Sequence, residues 1–379
     1  MQIRQTVATD PSTTDLAPLE ALAPQLVLVF ASVEHCRNPA FIDGLRARFP
    51  GARLAGCSTA GEISADGVGN GGSVITAVRF EQTEVVVVDT TVTDLADSEA
   101  AGRRLAAALP AEGLRHALVF GPGVQVNGSA LIAGMRAGLP ETCTISGGLA
   151  ADGGRFEETF TVTSAGASPR AVVAVGLYGD HVVLGHGSFH GWAPFGPLRR
   201  VTRAEGNLLF ELDGEPALEV YKRYLGAYAK DLPGSGLLFP FEVVGADGGR
   251  GLIRTILGID EARGSLLLAG DVAQGGHVRL MHASTDSLVN GAQAAAERAG
   301  EAMGAARGDR LAVLVSCVGR KLVMGARVDE EVEAVTEVFG RGCALTGYYS
   351  NGEISPLFES RDCRLHNQTM TITQLAEVA

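Results

Sequence analysis

Apolar and polar positions along this chain alternate between two rhythms. Five consecutive apolar side chains at 26–30 (Leu26, Val27, Leu28, Val29, Phe30) have the length and branching of a buried strand. Phe41, Ile42, Leu45 and Phe49 then recur at helical spacing after Pro39, and Pro50-Gly51 stops them before a second short apolar run opens at Leu54. Asp15 caps a short helix over 16–22, closed by Pro24. Branched runs at 73–80 and 85–88 read as strands with a turn between them, and 171–178 with 182–184 read as a β-hairpin around Gly179-Asp180-His181. Further on, Pro216 opens a helix in which Leu218, Val220, Tyr221, Tyr224 and Leu225 keep helical spacing up to Gly226. Strand-like runs at 252–259, 266–269 and 277–281 predict a β-rich segment. An alanine-faced helix over 287–303 then leads to a final strand at 311–315. The pattern is that of an α/β protein.

Within it one phrase occurs twice. Gly56-Cys57-Ser58-Thr59-Ala60-Gly61-Glu62-Ile63-Ser64 returns as Gly347-Tyr348-Tyr349-Ser350-Asn351-Gly352-Glu353-Ile354-Ser355, each copy preceded by an apolar run and a helix. A diverged third unit runs from 117–120 to Ile145-Ser146-Gly147-Gly148, with Phe120 preceding Ser146 by the interval that separates Phe30 from Gly56. Reuse of one strand-helix-strand unit is expected, with Glu62 and Glu353 in corresponding places. Strand ends rich in Gly, Ser and Thr leave backbone and hydroxyl groups reachable, and open α/β sheets hold ligands there. The candidate ligand-binding residues are Ser58, Thr59, Asn127, Ser146, Tyr348, Tyr349, Ser350 and Asn351. Asn127 stands before a helix whose N-terminus favours a carboxylate, and it reads equally as that helix's cap.

Composition narrows the partners. A formal charge of −12 repels phosphate backbones and anionic lipid, so nucleic acid is not expected. Residues 1–24 lack the basic-then-apolar order of a signal peptide, and no apolar stretch is long enough to cross a bilayer. A cytoplasmic protein without membrane insertion is expected. Six cysteines without a CxxC pair indicate reduced, buried thiols. Catalytic signatures are thin: Cys57 and Ser58 lack the second glycine of a nucleophile elbow, and 67–72 matches GxGxxG without opening a helix. His186 and His190 lie four apart, but two histidines do not complete a metal site.

Four motifs in order resemble the FIST signal-transduction family: 56–63; Gly191-Trp192-Ala193-Pro194-Phe195-Gly196-Pro197 with Val201, Thr202 and Arg203; 211–226; and 347–355. The resemblance covers nearly the whole chain. It implies a two-domain FIST-type protein, with a lead segment at 1–25, a FIST N domain at 26–217 built of two tandem units, and a FIST C domain at 218–379. It further implies a sensory module that binds a small, amino-acid-like ligand and passes occupancy to a separate signalling protein. One subgroup of the family senses nitric oxide through haem and regulates a histidine kinase. For that reading His190 is the first axial candidate, followed by His282 and His35. An enzyme using the Ser/Thr/Gly-lined strand ends stands as the alternative from another class.

Overall fold

The computed structural model describes residues 1–10, 14–244, 251–304, 308–356 and 362–378. Three six-stranded sheets of identical topology make up most of it. In the first, edge strand Gln2–Ala8 pairs antiparallel with Ser73–Arg79, which pairs with Leu26–Ala31, which runs parallel to Arg53–Ser58. The second repeats this order as Glu84–Thr91, Ala171–Tyr178, Leu114–Gly121 and Thr144–Leu149. The third repeats it as Val182–Phe189, Met370–Glu377, Arg310–Cys317 and Cys343–Ser350. The segment at 1–25 thus supplies an edge strand, and strands from both sides of residue 217 share the third sheet.

Each sheet is completed by another unit. After its second parallel strand every unit sends out a two-stranded hairpin that docks on a neighbour's sheet. The first unit's Glu62–Ser64 and Gly67–Gly69 extend the third sheet, the third unit's Gly352–Pro356 and Cys363–His366 extend the second, and the second unit's Thr161–Thr163 and Gly166–Ser168 extend the first. The exchange is cyclic. Two sequence expectations change as a result. Strands 73–79 and 84–91 are not partners, and neither are 171–178 and 182–189. Each short connection carries the chain from one sheet to the next. The physical reason is that every residue of Ala171–Tyr178 is buried, so it needs a strand on both sides and takes Leu114–Gly121 and Glu84–Thr91.

The repeated phrase marks a close approach. Gly56, Gly147 and Gly347 stand opposite Val29, Val119 and Leu314 in the parallel pairs and opposite Val162, Ile354 and Ile63 of the docked hairpins. A Cβ on these glycines would lie 1.9, 2.0 and 1.9 Å from the facing carbonyl oxygens, so only glycine fits. Structural equivalence therefore aligns Gly147, not Ser146, with Gly56, because the second unit's connection is one residue longer than the spacing argument allowed.

The inner faces of the sheets meet at a common axis. There Phe30 stacks on Tyr348 with centroids 4.8 Å apart and meets Phe120 edge-on at 5.4 Å. Helices cover the outer faces: Pro39–Arg48 on the first sheet, Ser98–Ala108 and Gly128–Gly138 on the second, Thr285–Glu301 and Asp329–Phe339 on the third. Thr285–Glu301 begins two residues before its expected start because Ser284 and Ser287 form a capping box. The β-rich segment, Ala193 to His282, is an insertion between the third unit's edge strand and that helix. It wraps its own core around Ala217–Leu225.

Arg320, the largest fully buried side chain among the described residues, clamps the third unit at the points where the insertion leaves and returns. It donates to the carbonyl oxygens of His190 (2.6 Å) and Leu288 (2.9 Å) and pairs with Glu331 at 2.7 Å, both side chains being fully buried. Glu331 also accepts from Ser316 Oγ (2.9 Å) and from the Tyr349 hydroxyl. Trp192, beside the junction, donates through Nε1 to the Gln368 carbonyl at 3.0 Å, so its ring packs there. Arg203 and Arg223 pair with Glu211 and Glu215 at the surface.

Two stability measurements follow from this packing. Gly347→Ala is expected to lower unfolding free energy by about 3 kcal/mol or more, since its Cβ meets backbone. Gly71→Ala, at φ +82° with open space around it, should lose only about 1 kcal/mol in the same urea titration. Glu331→Gln strands a buried guanidinium and should cost about 3–5 kcal/mol. Glu301→Gln, which breaks an exposed pair with Arg298, should stay within about 0.5 kcal/mol.

Candidate functional site

At the C-terminal ends of strands 26–31 and 53–58 a pocket of about 440 Å³ opens between the first and third units. Its walls include Thr59, Glu62 and Asn70 of the first unit, Asp152 and Arg155 of the second, and Val318 and Lys321 of the third. Lys321 projects from the short helix Val318–Met324, and its ammonium donates to the Ala60 carbonyl and to Asn70 Oδ1. The ammonium also lies 5.3 Å from the centre of the Tyr349 ring. Both of its acceptors are uncharged. Burial lowers the Lys321 pKa, with Glu62 and Asp329 opposing at longer range. Asp152 is committed to backbone, accepting from the N–H groups of Phe156, Glu157 and Glu158. Arg155 faces Glu34 at 3.5 Å on the rim.

Glu62 and its counterpart Glu353 show what the repeated phrase does. Glu62 accepts from Thr59 Oγ1 (2.5 Å) and Gly72 N–H (3.2 Å). Glu353 accepts from Ser350 Oγ (2.7 Å), Thr369 N–H (3.1 Å) and Thr369 Oγ1 (2.8 Å). Gly72 and Thr369 occupy the same place, the residue before the strand that returns to each unit's own sheet. Each carboxyl ties the root of the exchanged hairpin to the point where the chain comes home. Burial raises both pKa values, that of Glu353 to about 7.

The other sequence candidates fall mostly in the interior. Ser58 Oγ donates to the Ala151 carbonyl (2.7 Å) and accepts from Phe160 N–H (2.9 Å), while burial holds the Cys57 thiol far above its usual pKa. Neither is poised as a nucleophile. Ser146 bonds His116 Nε2 (2.9 Å) and Thr373 Oγ1 (2.7 Å) inside the ring. Tyr348 is at the axis, Tyr349 is bound to Glu331 and Ser350 to Glu353, all fully buried. Asn127 caps Gly128–Gly138 by accepting from Ala130 N–H at 3.1 Å, and Asn351 lies half-buried against the Gly123 carbonyl. Of the eight, only Thr59 lines the strand-end pocket. Lys321 gave no sequence signal beyond its place one helical turn after the third unit's first parallel strand.

A second cavity, about 370 Å³, lies where the insertion meets the third sheet, lined by Ser188, Phe189, His190, Glu242, Leu252, Ile253, His366, Asn367 and Thr369. Here the haem expectation for His190 meets a chemical obstacle. Trp192 N–H donates to His190 Nδ1 at 2.9 Å, and burial lowers the ring's pKa, so the neutral ring carries its proton on Nε2. An axial ligand needs the Nε2 lone pair with Nδ1 donating, the reverse arrangement. His190 does not fit that role. His282 is exposed, edge-on to Phe195, and His35 packs against Phe41 with its buried Nδ1 lacking a partner among the described residues. No cluster of three or more metal-ligating side chains occurs among the described residues, and among them no helix is long and apolar enough to cross a membrane.

Two family models match successive segments of the chain. Residues 25–215 match the FIST N domain and residues 217–356 the FIST C domain. An uncharacterized protein of Methanocaldococcus jannaschii is 36% identical over 89 residues, covering 24% of this chain and 17% of that protein. An uncharacterized protein of Mycobacterium bovis is 30% identical over 234 residues, 58% of this chain and 57% of its own length. The chain thus spans little more than half the length of the mycobacterial relative and far less of the archaeal one. Among solved structures, cyanuric acid hydrolase from A. caulinodans aligns over 100% of this chain and 99% of its own at 10% identity, with a TM-score of 0.38, too low to bear on fold or chemistry. With FIST N and FIST C domains in succession over residues 25–356, the chain belongs to the FIST family, whose domains are in general sensory, small-ligand-binding domains of signal transduction.

Proposed function

We propose that the chain is a sensor whose strand-end pocket binds a small amino-acid-like molecule through its carboxylate and reports occupancy to a separate signalling protein. The observation that carries this reading is Lys321. It is a half-buried ammonium whose acceptors among the described residues are both neutral, set in a pocket of a size suited to a small ligand. A carboxylate arriving there gains a charge-assisted hydrogen bond in partly desolvated surroundings, while the Glu34–Arg155 pair at the rim offers a carboxylate to an ammonium.

Occupancy has a route outward. Lys321 belongs to the third unit and its acceptors Ala60 and Asn70 to the first, so a ligand competing for the ammonium alters a contact between units. Three residues after Lys321 the same helix ends. The chain then turns through Gly325–Arg327 into Asp329–Phe339, which carries Glu331 of the buried Arg320 network. A ligand favouring one arrangement by about 1–3 kcal/mol shifts the coupled equilibrium roughly 5- to 150-fold, enough to control a partner without chemistry in this chain.

Calorimetric titration with a panel of amino acids and simple carboxylates tests this. A binder is expected in the wild type, with Lys321→Met weakening it at least tenfold while the unliganded melting temperature barely moves. Because the ligand pairs with charged lysine, affinity should fall as pH rises through the Lys321 pKa, with a midpoint below the ordinary value of 10.5. Equal affinity in Lys321→Met, or no carboxylate binder in the panel, would sink the reading.

A further inference from the structure

The cavity between the insertion and the third sheet is chemically unlike the strand-end pocket. Its polar groups have their protons assigned by neighbours that can only donate or only accept. His190 accepts at Nδ1 from Trp192 N–H, so Nε2–H is a donor. His366 Nε2 lies 3.2 Å from the Ser355 carbonyl, which can only accept, so that nitrogen bears the proton and Nδ1 is a lone pair. Asn367 Oδ1 faces Arg254 Nη1 at 3.4 Å, and since a guanidinium can only donate, the amide is oriented with its NH₂ left over. His190 Nε2, His366 Nδ1 and Asn367 Nδ2 have no hydrogen-bond partner among the described residues, and none is among their buried unsatisfied atoms. All three side chains line the cavity. The set is two donors and one acceptor, all neutral.

The rest of the lining selects against charge. Leu252 and Ile253 form an apolar wall, the Phe189 and His190 rings stack at 28° with centroids 6.0 Å apart, and the Glu242 carboxylate is already engaged by Arg279. An ionic ligand would give up hydration here without gaining a free counter-ion. A flat uncharged ring would lose little and could lie along the apolar wall.

We infer that this cavity is a second ligand site, independent of the strand-end pocket, for an uncharged cyclic imide of the pyrimidine-dione type. The –CO–NH–CO– edge of such a ring presents two acceptors and one donor, the complement of His190 Nε2–H, Asn367 Nδ2–H and His366 Nδ1. The volume of about 370 Å³ accommodates one such ring. The site lies where the insertion meets the third sheet. Gln368, next to Asn367, donates to the Leu237 carbonyl and Thr255 Oγ1 of the insertion. A ligand here therefore bears on the seating of the insertion against the ring.

Uracil is the probe, titrated by calorimetry and thermal shift against the whole chain up to millimolar concentration. Binding is expected in the wild type, at least tenfold weaker for 3-methyluracil, which lacks the imide donor, and no binding is expected for benzoate. Leu252→Trp fills the cavity from the wall and leaves the three polar side chains themselves unsubstituted. It should reduce uracil affinity at least tenfold at an unchanged unliganded melting temperature. Should that variant melt early, Leu252→Phe with the same readout replaces it. Lys321→Met should leave uracil binding unchanged, which separates this site from the strand-end pocket. Absence of uracil binding, equal affinity for 3-methyluracil, or indifference to both Leu252 substitutions would overturn the assignment.

Discussion

A six-stranded sheet needs a partner for its outer parallel strand, and in this protein that partner always comes from another unit. The backbone N–H and C=O groups along Arg53–Ser58, Thr144–Leu149 and Cys343–Ser350 would otherwise form an open edge in the middle of the molecule. Because the three hairpins are exchanged in a closed cycle, no unit can satisfy its backbone alone. The glycines at 56, 147 and 347 belong to the same constraint, since a side chain there would collide with the facing strand. Glu62 and Glu353 add to it by tying the roots of the first and third units' hairpins to their return strands. Raised carboxyl pKa values are the expected consequence of placing such ties in the interior.

This architecture also explains where the cavities are. Hairpin exchange leaves the ends of the parallel strands overlooked by a neighbouring unit, and the strand-end pocket is the gap between the first unit's phrase and the third unit's Lys321. The cavity beside His190 has a different origin. An insertion of some ninety residues enters the third unit just after its edge strand, and the turn at 366–369 faces it across a seam. The buried Arg320–Glu331 pair holds the third unit on either side of the insertion, at His190 before it and Leu288 after it. A charge this deep is costly unless it is paired, and Arg320 has carbonyl or carboxylate acceptors at all three guanidinium nitrogens.

Most of the sequence candidates lie away from the strand-end pocket for one recurring reason. Small polar residues at strand ends were read as reachable, but in a ring of exchanged hairpins the same residues are needed to satisfy backbone. Ser58 serves Ala151 and Phe160, Ser350 serves Glu353, and Asn127 caps its helix. Tyr348 and Tyr349 replace the small Cys57 and Ser58 of the first copy, and that added bulk fills the axis and reaches Glu331. His190 looked like a ligand because aromatic residues flank it. Its tautomer is set by Trp192 N–H, a contact visible only once the turn at 190–192 is built.

Local pattern determined a great deal. The alternation of strands and helices, the helix over Ala217–Leu225, the β-rich character of the insertion and the repetition of one unit all follow from side-chain periodicity and turn residues acting over a few positions. Equivalent placement of Glu62 and Glu353 also follows, because similar phrases that share Gly-Glu-Ile-Ser come after corresponding strands. Tertiary structure alone decided which strands pair across units and which side chains meet, as Lys321 meets Ala60 from 261 positions away. Periodicity states which face of a strand is buried but not whose edge it will join. That choice is made by the unpaired edges remaining once all three units have collapsed together.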